Sequence, residues 1–247
     1  MNDPFNLAQE VLNYSKTLTE RFEQKGFTHG SLKPYQLLLA IILNEVRLLL
    51  DAVILLCRNK HDAAAGMVIR AFFEMYVTVK YLDRNREHVM RYIEFGSYLK
   101  AKKVEDMEKH GEKPITDDEK RKKIFGEYDQ VQKMHNFERR KWYPLGLTFE
   151  GLCKEIDAGK SYDLLYRYLS DFIHFNVMSL RKHRLDESDK TVSFEVDRSE
   201  GHEHLHVAAD MTLIIYGLFD KEFGTGCEKD LLEMLGRLRE ETPSVSA

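Results

Sequence analysis

Two long apolar segments constrain the fold of this chain more than any other feature. The first runs from Pro34 to Cys57 with the sequence PYQLLLAIILNEVRLLLDAVILLC, and the second runs from Ala63 to Val79 with the sequence AAAGMVIRAFFEMYVTV. Each segment is far longer than an ordinary buried strand of about five or six residues. Because long apolar segments of this kind are typical of helices, both are predicted to be helices.

Isolated charges inside the two segments favour a helical bundle in water over a location in a membrane. Glu45, Arg47 and Asp51 interrupt the first segment, whereas Arg70 and Glu74 interrupt the second. Each such charge costs about 2.5–3.5 kcal/mol at the centre of a bilayer. The composition is 43% apolar and 32% charged, which is ordinary for a water-soluble protein with a real core. We therefore expect core helices and no membrane association.

The remaining pattern predicts one all-α domain over residues 1–241, a single bundle of about seven to nine helices. All five prolines lie where helices are expected to begin or end. The polar segment 100–140 is predicted to project from the bundle as a charged helical hairpin. Alternating apolar and polar residues in TVSFEVD predict a short strand or β-hairpin near residues 191–197. Residues 242–247 are predicted to be a disordered tail.

Cysteine usage and the N-terminal sequence favour a cytoplasmic protein. Cys57, Cys153 and Cys227 are far apart and form no CxxC motif, so neither a disulfide framework nor a Cys-rich zinc site is expected. The beginning of the sequence, MNDPFNLAQE, has neither the basic nor the apolar region of a secretory signal.

The overall charge excludes a globally basic nucleic-acid-binding protein, so any RNA contact must come from a local patch. The formal net charge is -4 and the isoelectric point is about 6.2. Arg139, Arg140, Lys141 and Trp142 combine cations with an aromatic ring, which suits stacking on single-stranded bases. We predict RNA binding there. The alternative is an ordinary solvated charged face.

Three charges in the apolar segments form a first candidate cluster. Helical spacing places Glu45 within an apolar face of the first segment, and a buried carboxylate needs a partner or a proton. Arg70 and Glu74 are four residues apart on the second segment, so they share a helix face. Two interpretations stay open. One is a structural buried ion pair or triad, and the other is a charged pocket in the core of the bundle.

The segment RYLSDFIHFN forms a second candidate cluster. Helical spacing places Arg167, Ser170, Asp171 and His174 on one narrow polar stripe of an otherwise apolar helix. Asp171 can reach Arg167 four residues before it or His174 three residues after it. A carboxylate beside a histidine would orient the ring for proton transfer near neutral pH. The alternative is an exposed edge with an ordinary salt bridge.

The spacing of Arg167 and His174, with six residues between them, resembles the signature of HEPN domains. That resemblance implies a helical domain that cleaves RNA without a metal, with two protomers pooling their motifs at a dimer interface. His174 would then act as general acid or base, Arg167 would stabilise the phosphorane, Asp171 would orient His174, and Ser170 would add a hydrogen bond. Tyr168 directly follows the arginine, where HEPN motifs usually carry a polar residue.

A second resemblance covers more of the chain. RAFFEMYVTVKYL and the later YRYLSDFIH are similar to an uncharacterised bacterial helical family with an early R-x-x-x-E helix and a late Y-x-x-x-S-x-x-x-H helix. Arg70 and Glu74 match the early pattern, and Tyr166, Ser170 and His174 match the late one. This resemblance implies that the two polar clusters meet in space. We predict that Arg70, Glu74 and Tyr166, together with the Glu45 that helical spacing places nearby, support the site.

Three classes of function follow from these observations. The first is a HEPN-like cytoplasmic endoribonuclease in a defence or toxin setting, with RNA as substrate, no metal or cofactor, a homodimeric assembly and an antitoxin or other protein partner. The second is a non-catalytic homodimeric binding module with a structural charge network. The third is a metal-dependent bundle enzyme, for which His202, His204 and His206 are the candidate ligands, either on one strand face or, for two of them, on a helix with Asp210.

Overall fold

The computed structural model describes residues 3–137, 141–173, 183–186, 191–196 and 201–240. These residues form an all-α bundle with one added β-hairpin, which confirms the predicted fold class. The helices are α1 Pro4–Gln24, α2 Pro34–Arg58, α3 Asp62–Arg84, α4 Val89–Lys109, α5 Asp118–His135, α6 Phe149–Glu155, α7 Gly159–Ser161, a π-helix Tyr162–Tyr166, α8 Arg167–Ile173, α9 Gly201–Phe223 and α10 Glu228–Glu240. Single 3-10 turns occupy His29–Ser31 and Arg86–His88.

The two strands form an antiparallel hairpin. Strand β1 is His183–Asp186 and strand β2 is Thr191–Val196. His183 lies opposite Val196 and Asp186 lies opposite Thr191, with an irregularity in register between His183 and Leu185.

The core lies where α2, α3 and α9 pack together, with α1 against α2 and α9 and with α10 against α9. These helices supply the largest side chains with almost no exposed surface, among them Leu39, Leu50, Phe72, Phe73, Tyr216 and Phe219. Burial of a large apolar side chain contributes roughly 1.5–3 kcal/mol, so this region supplies most of the stabilising apolar contact. None of the helices in the described part of the chain is both long and apolar enough to cross a membrane.

Side-chain caps set the first residues of several helices. The Asp3 carboxylate accepts from the Phe5 N–H at 3.1 Å, and Pro4 occupies the first turn. Asp117 accepts from the backbone N–H groups of Glu119 at 2.9 Å and Lys120 at 3.1 Å. These oxygens satisfy donors that have no partner within their own helix, which is why short polar residues precede the helices here.

The buried face of α2 differs from the one that its sequence predicts. Glu45 is exposed, and so are Ile41, Leu48 and Leu55, whose exposed fractions are 55%, 49% and 60%. The buried side instead carries Leu39, Ile42, Val46, Leu50 and Val53. Leu and Ile occur all around α2, so periodicity alone did not determine which side faces the core. The prediction that Glu45 lies in the core was therefore wrong.

Helices α4 and α5 form an antiparallel hairpin along one edge of the bundle. The rings of Tyr98 and Tyr128 stack with their centroids 5.7 Å apart, and Arg121 Nε lies 2.9 Å from Glu108 Oε1 nearer the tip. At the base, Arg91 Nε donates to the Trp142 carbonyl at 2.6 Å. The hairpin therefore begins at Val89 and includes more of α4 than the polar segment 100–140.

Candidate functional site

The helical segment that carries RYLSDFIHFN contains a local change of helix type. Residues Tyr162–Tyr166 form a π-helix, and the Arg167 N–H bonds to the Tyr162 carbonyl five residues earlier. Ser161, directly before the π-helix, is itself helical and makes no capping side-chain bond. π-Helical turns inside α-helices are rare and occur frequently at functional sites. Here the π-helix ends at Tyr166, the residue that reaches α3.

Tyr166 joins two charged residues of α3 in one cluster, which we call the Arg–Tyr–Glu cluster. Arg70 Nη2 donates to the Tyr166 hydroxyl at 3.0 Å, and that hydroxyl donates to Glu74 Oε1 at 3.1 Å. Arg70 Nε lies 3.7 Å from the same carboxylate oxygen. The Arg70 guanidinium carbon is also 4.8 Å from the centroid of the Tyr166 ring. The early and late patterns of the sequence therefore meet in space, as the second resemblance implies.

The cluster lies at the edge of the core, which revises the expectation of a buried ion pair. The Arg70 side chain is 16% exposed, but the Glu74 side chain is 48% exposed. Glu45, which was expected to join them, is on the exposed side of α2. Burial raises the pKa of Tyr166, and the hydrogen bond from Arg70 opposes that rise. The phenol thus keeps its proton at neutral pH and can donate it to Glu74.

Aromatic rings hold Tyr166 in place. Its ring centroid lies 4.8 Å from that of Phe149, 5.1 Å from that of Tyr162 and 5.9 Å from that of Phe73. Phe149 is the first residue of α6, and the Thr148 hydroxyl caps that helix by accepting from the Gly151 N–H at 3.0 Å. Because contacts from α3, α6 and the π-helix restrict the ring, the hydroxyl has a defined position between Arg70 and Glu74.

Arg167 points away from the cluster into solvent. Its side chain is 64% exposed, and its Nε lies 3.4 Å from Asp163 Oδ1, whose side chain is 60% exposed. Its guanidinium carbon lies 5.6 Å from the centroid of the Tyr162 ring. An exposed pair of this kind is weak, so Arg167 is available to an anionic ligand that can displace Asp163.

The rest of the predicted stripe is described only in part. The Ser170 hydroxyl donates to the Tyr166 carbonyl at 2.7 Å, a local bond four residues back along the helix that uses its proton. Leu164 and Tyr168, expected in or beside the apolar part of this helix, have exposed fractions of 65% and 40%. The side chain of Asp171 and the whole of His174 lie outside the described residues.

The predicted RNA-binding patch is divided between solvent and core. Lys141 is exposed, with its Nζ 5.5 Å from the centroid of the Tyr143 ring. Trp142 is only 9% exposed and contacts the rings of Tyr81 and Tyr92. It anchors the loop after α5 and presents no open face to a base, so its predicted stacking role was wrong. Arg139 and Arg140 lie outside the described residues.

The three histidines at the start of α9 do not all share a face, because His202 and His206 are four residues apart on one side of the helix and His204 is on another. They are helical, so the strand arrangement was wrong, and His202 is exposed, His204 is buried and His206 is half-buried. Within the described ranges, no group of three or more His, Cys, Asp or Glu side chains is placed to hold a metal ion.

Of four charged or histidine side chains around one cavity, the sequence grouped only His206 with Asp210, as candidate metal ligands on a helix. Lys160, His206, Asp210 and Arg239 line a space of about 380 Å³ next to α9 and α10. The sequence feature that could have indicated a polar cavity here is Asp210, because it is an acidic residue in an otherwise apolar stretch of α9. His206 lies one turn before Asp210 on the same helix, whereas Lys160 and Arg239 come from distant parts of the chain and are brought to the cavity only by folding.

The fold and the cluster together define a class of protein: an all-α bundle in which a π-helix places a tyrosine between the arginine and glutamate of a core helix. The chain belongs to DUF5677, described as a family of unknown function, whose model matches residues 36–192, more than half of the chain. The matched range runs from α2 to β2 and includes the cluster and Arg167, whereas α9 and α10 lie beyond it. No curated protein and no solved structure matches the chain.

Proposed function

We propose that this protein is a HEPN-like, metal-independent endoribonuclease whose site lies at the beginning of α8. The observation that supports this most is the Tyr166 hydroxyl, which is bonded to both Arg70 and Glu74 directly before the exposed Arg167. These bonds fix the helix that carries Arg167 and leads to His174. A catalytic group must be held within about 0.5 Å of its productive position, and a rigid supporting contact of this kind meets that need.

The proposed chemistry needs few protein groups, because RNA supplies its own nucleophile. The 2′-oxygen attacks the adjacent phosphorus and loses its proton to a general base. The bond from phosphorus to the 5′-oxygen then breaks, and the leaving oxygen takes a proton from a general acid. The products are a 2′,3′-cyclic phosphate and a 5′-hydroxyl. His174 would transfer the protons, and Arg167 would stabilise the charge on the phosphorane.

The exposed position of Arg167 supports its assignment to the phosphate. Its contact with Asp163 is long at 3.4 Å and lies in solvent, so a phosphate that accepts two guanidinium N–H bonds can replace it. Arg70 and Glu74 have opposite charges and neutralise each other. They are positioning residues in this proposal, because they act on the helix through Tyr166.

Cleavage of a labelled mixed RNA pool by the purified full chain in EDTA tests the proposal. We expect products with 2′,3′-cyclic phosphate ends, loss of cleavage in His174→Ala, and at least a hundredfold loss in Arg167→Gln. His110→Ala and Arg58→Gln change an exposed histidine and an exposed arginine elsewhere, so they should cleave like the wild type. Absence of cleavage by the wild type, or equal cleavage by His174→Ala, would contradict the proposal.

We also infer that the protein is a homodimer joined through α2. Ile41, Leu48 and Leu55 recur every seven residues on the exposed side of that helix, and each is about half exposed. An apolar stripe with this spacing, about 21 Å long, is the kind that pairs two helices.

Light scattering after size exclusion measures the assembly directly. A wild-type mass of two chains and a one-chain mass for Leu48→Glu are expected, with Leu232→Glu as control because Leu232 is also an exposed leucine, on α10. A wild-type mass of one chain at tens of micromolar would refute the dimer.

A further inference from the structure

A second polar cavity lies beside the Arg–Tyr–Glu cluster, between α3, the π-helix region, α9 and α10. Its volume is about 380 Å³. One part of its wall is apolar, formed by Phe73, Tyr76, Leu164, Leu165, Val207, Met211 and Leu238. The other part is polar, formed by Lys160, Ser161, His206, Asp210 and Arg239. Cavities that bind small molecules are commonly of this size, largely apolar and lined by a few convergent polar groups.

The polar part of the wall carries a net positive charge. Lys160 and Arg239 are both exposed cations, and they outnumber the single carboxylate of Asp210. Lys80 lies close behind, with its Nζ 3.2 Å from the Tyr76 hydroxyl and near enough to influence Asp210. Burial raises the pKa of Asp210, with Arg239, His206 and Lys80 opposing that rise. Burial therefore disfavours the ionised form of the Asp210 carboxyl group.

One hydrogen bond keeps the two helices of the wall together. His206 Nε2 lies 2.6 Å from the Leu238 carbonyl. A carbonyl can only accept, so this nitrogen carries the proton and the ring links α9 to α10. The polar wall is therefore braced before any ligand arrives, which lowers the entropic cost of binding.

We propose that this cavity binds a small organic anion, a carboxylate or phosphate monoester attached to an apolar ring or chain. Phe73, Met211 and Leu238 would cover the apolar body. Lys160 and Arg239 would bind the anionic group at the mouth. A metal ion is a poor fit for these residues, because His206 and Asp210 are the only His, Cys, Asp or Glu side chains among the residues that line the cavity.

This inference is independent of the ribonuclease proposal. The cavity residues His206, Asp210 and Arg239 lie outside the range matched by the family model. The cavity and the Arg–Tyr–Glu cluster are nevertheless neighbours, because Leu165 lines the cavity and the next residue, Tyr166, belongs to the cluster. Phe73 also lines the cavity and lies 5.9 Å, between ring centroids, from Tyr166.

Calorimetry with two probes of the same shape tests the proposal on the full chain. The first probe is 1-naphthoate, and the second is the neutral 1-naphthalenemethanol. We expect one naphthoate to bind per chain and the alcohol to bind at least tenfold more weakly. No binding of naphthoate at millimolar concentration, or equal binding of the two probes, would overturn the proposal.

Matched variants locate the binding. Arg239→Gln and Lys160→Gln each remove one exposed cation of the cavity and should weaken naphthoate binding at least fivefold. Lys229→Gln removes an exposed cation of α10 that does not line the cavity, so its affinity should equal that of the wild type. Asp210→Asn removes the opposing charge and should tighten binding severalfold. Equal affinities for the wild type, Arg239→Gln and Lys160→Gln would overturn the assignment to this cavity.

Discussion

The α2–α3–α9 core and the α4–α5 hairpin are both built from long helices, but they are stabilised in different ways. The core buries large side chains completely, including Leu39, Phe72 and Tyr216. The hairpin buries fewer side chains, among them aromatic residues of α4 and only Ile124 and Val131 from α5, and an exposed ion pair joins Glu108 of α4 to Arg121 of α5. Exposed ion pairs stabilise little, whereas full burial of apolar side chains stabilises much.

The hairpin compensates with aromatic contacts near its base. Phe137 is 2% exposed, and its ring centroid lies 5.1 Å from that of Phe95 and 5.3 Å from that of Tyr98. The Arg91 guanidinium carbon lies 4.7 Å from the centroid of the Phe137 ring. Because proteins open in cooperative units of differing stability, we expect the hairpin to open as a unit while the α2–α3–α9 core stays folded.

Truncation in the core should have the largest effect on stability. Phe72→Ala removes a side chain with no exposed surface and leaves a cavity, so we expect the free energy of unfolding to fall by about 3–5 kcal/mol. Urea denaturation followed by circular dichroism measures it. Leu232→Ala, at a side chain that is 60% exposed, is the control and should change little. A loss below about 1 kcal/mol for Phe72→Ala would show that the core is less tightly packed than the complete burial of Phe72 indicates.

Truncation of the hairpin anchor should act locally. Phe137→Ala should destabilise the hairpin by about 3 kcal/mol, since it removes a buried aromatic ring. Hydrogen exchange would then show faster exchange in α4 and α5 with unchanged protection in α3 and α9. Arg121→Gln, which breaks only an exposed ion pair, should leave the exchange pattern as in the wild type. Equal loss of protection in the core and the hairpin would contradict the separation of the two regions.

Removal of one hydroxyl tests the link between α3 and the helical segment that precedes α8. Tyr166→Phe keeps the ring and its aromatic contacts but removes the hydrogen bonds to Arg70 and Glu74. We expect a loss of about 1–3 kcal/mol, because a largely buried guanidinium loses a partner. Tyr162→Phe makes the same chemical change on the adjacent ring and is the control in urea denaturation. Equal stabilities for the two variants would show that the cluster does not hold the helices together.

Asp210 should produce the smallest effect, one that depends on pH. Its pKa is raised in the folded state by burial, against the influence of Arg239, His206 and Lys80. The folded state therefore favours the protonated acid, and wild-type stability falls as pH rises from the unfolded pKa through the folded pKa. Asp210→Asn should gain stability relative to wild type across that window and keep the gain at pH 7. Urea denaturation from pH 3 to pH 7 measures this gain. A gain that shrinks as pH rises would show that folding lowers the pKa of Asp210 instead of raising it.

Local chemistry explains why most helix ends could be predicted. Asp3 and Pro4 mark the start of α1, and α9 ends at Phe223. There the next residue, Gly224, has a positive φ of 60°, a conformation that glycine adopts without strain. Its N–H bonds to the Asp220 carbonyl at 2.7 Å. Such signals act within a few residues, so the sequence displays them directly.

The candidate site was predictable only where residues share a helix. Arg70 and Glu74 could be paired from their spacing of four, a resemblance implied only that the cluster of Tyr166 would meet them, and the structure alone placed its hydroxyl between them. No sequence pattern indicated the π-helix. Trp142 was assigned to RNA because its burial depends on Tyr81 and Tyr92, which lie 50 or more residues earlier and cannot be paired with it from the sequence.

By itself the sequence determined the all-α class, most helix ends and the pairing of Arg70 with Glu74, because these depend on side-chain spacing, caps and turns. Tertiary structure alone decided which face of α2 is buried, since Leu and Ile occur on every side of that helix. It also decided that Glu74 is half exposed and that Lys160, Asp210 and Arg239 surround one cavity. The physical reason is the same in each case: burial and electrostatic environment are set by packing between helices that are distant in the chain.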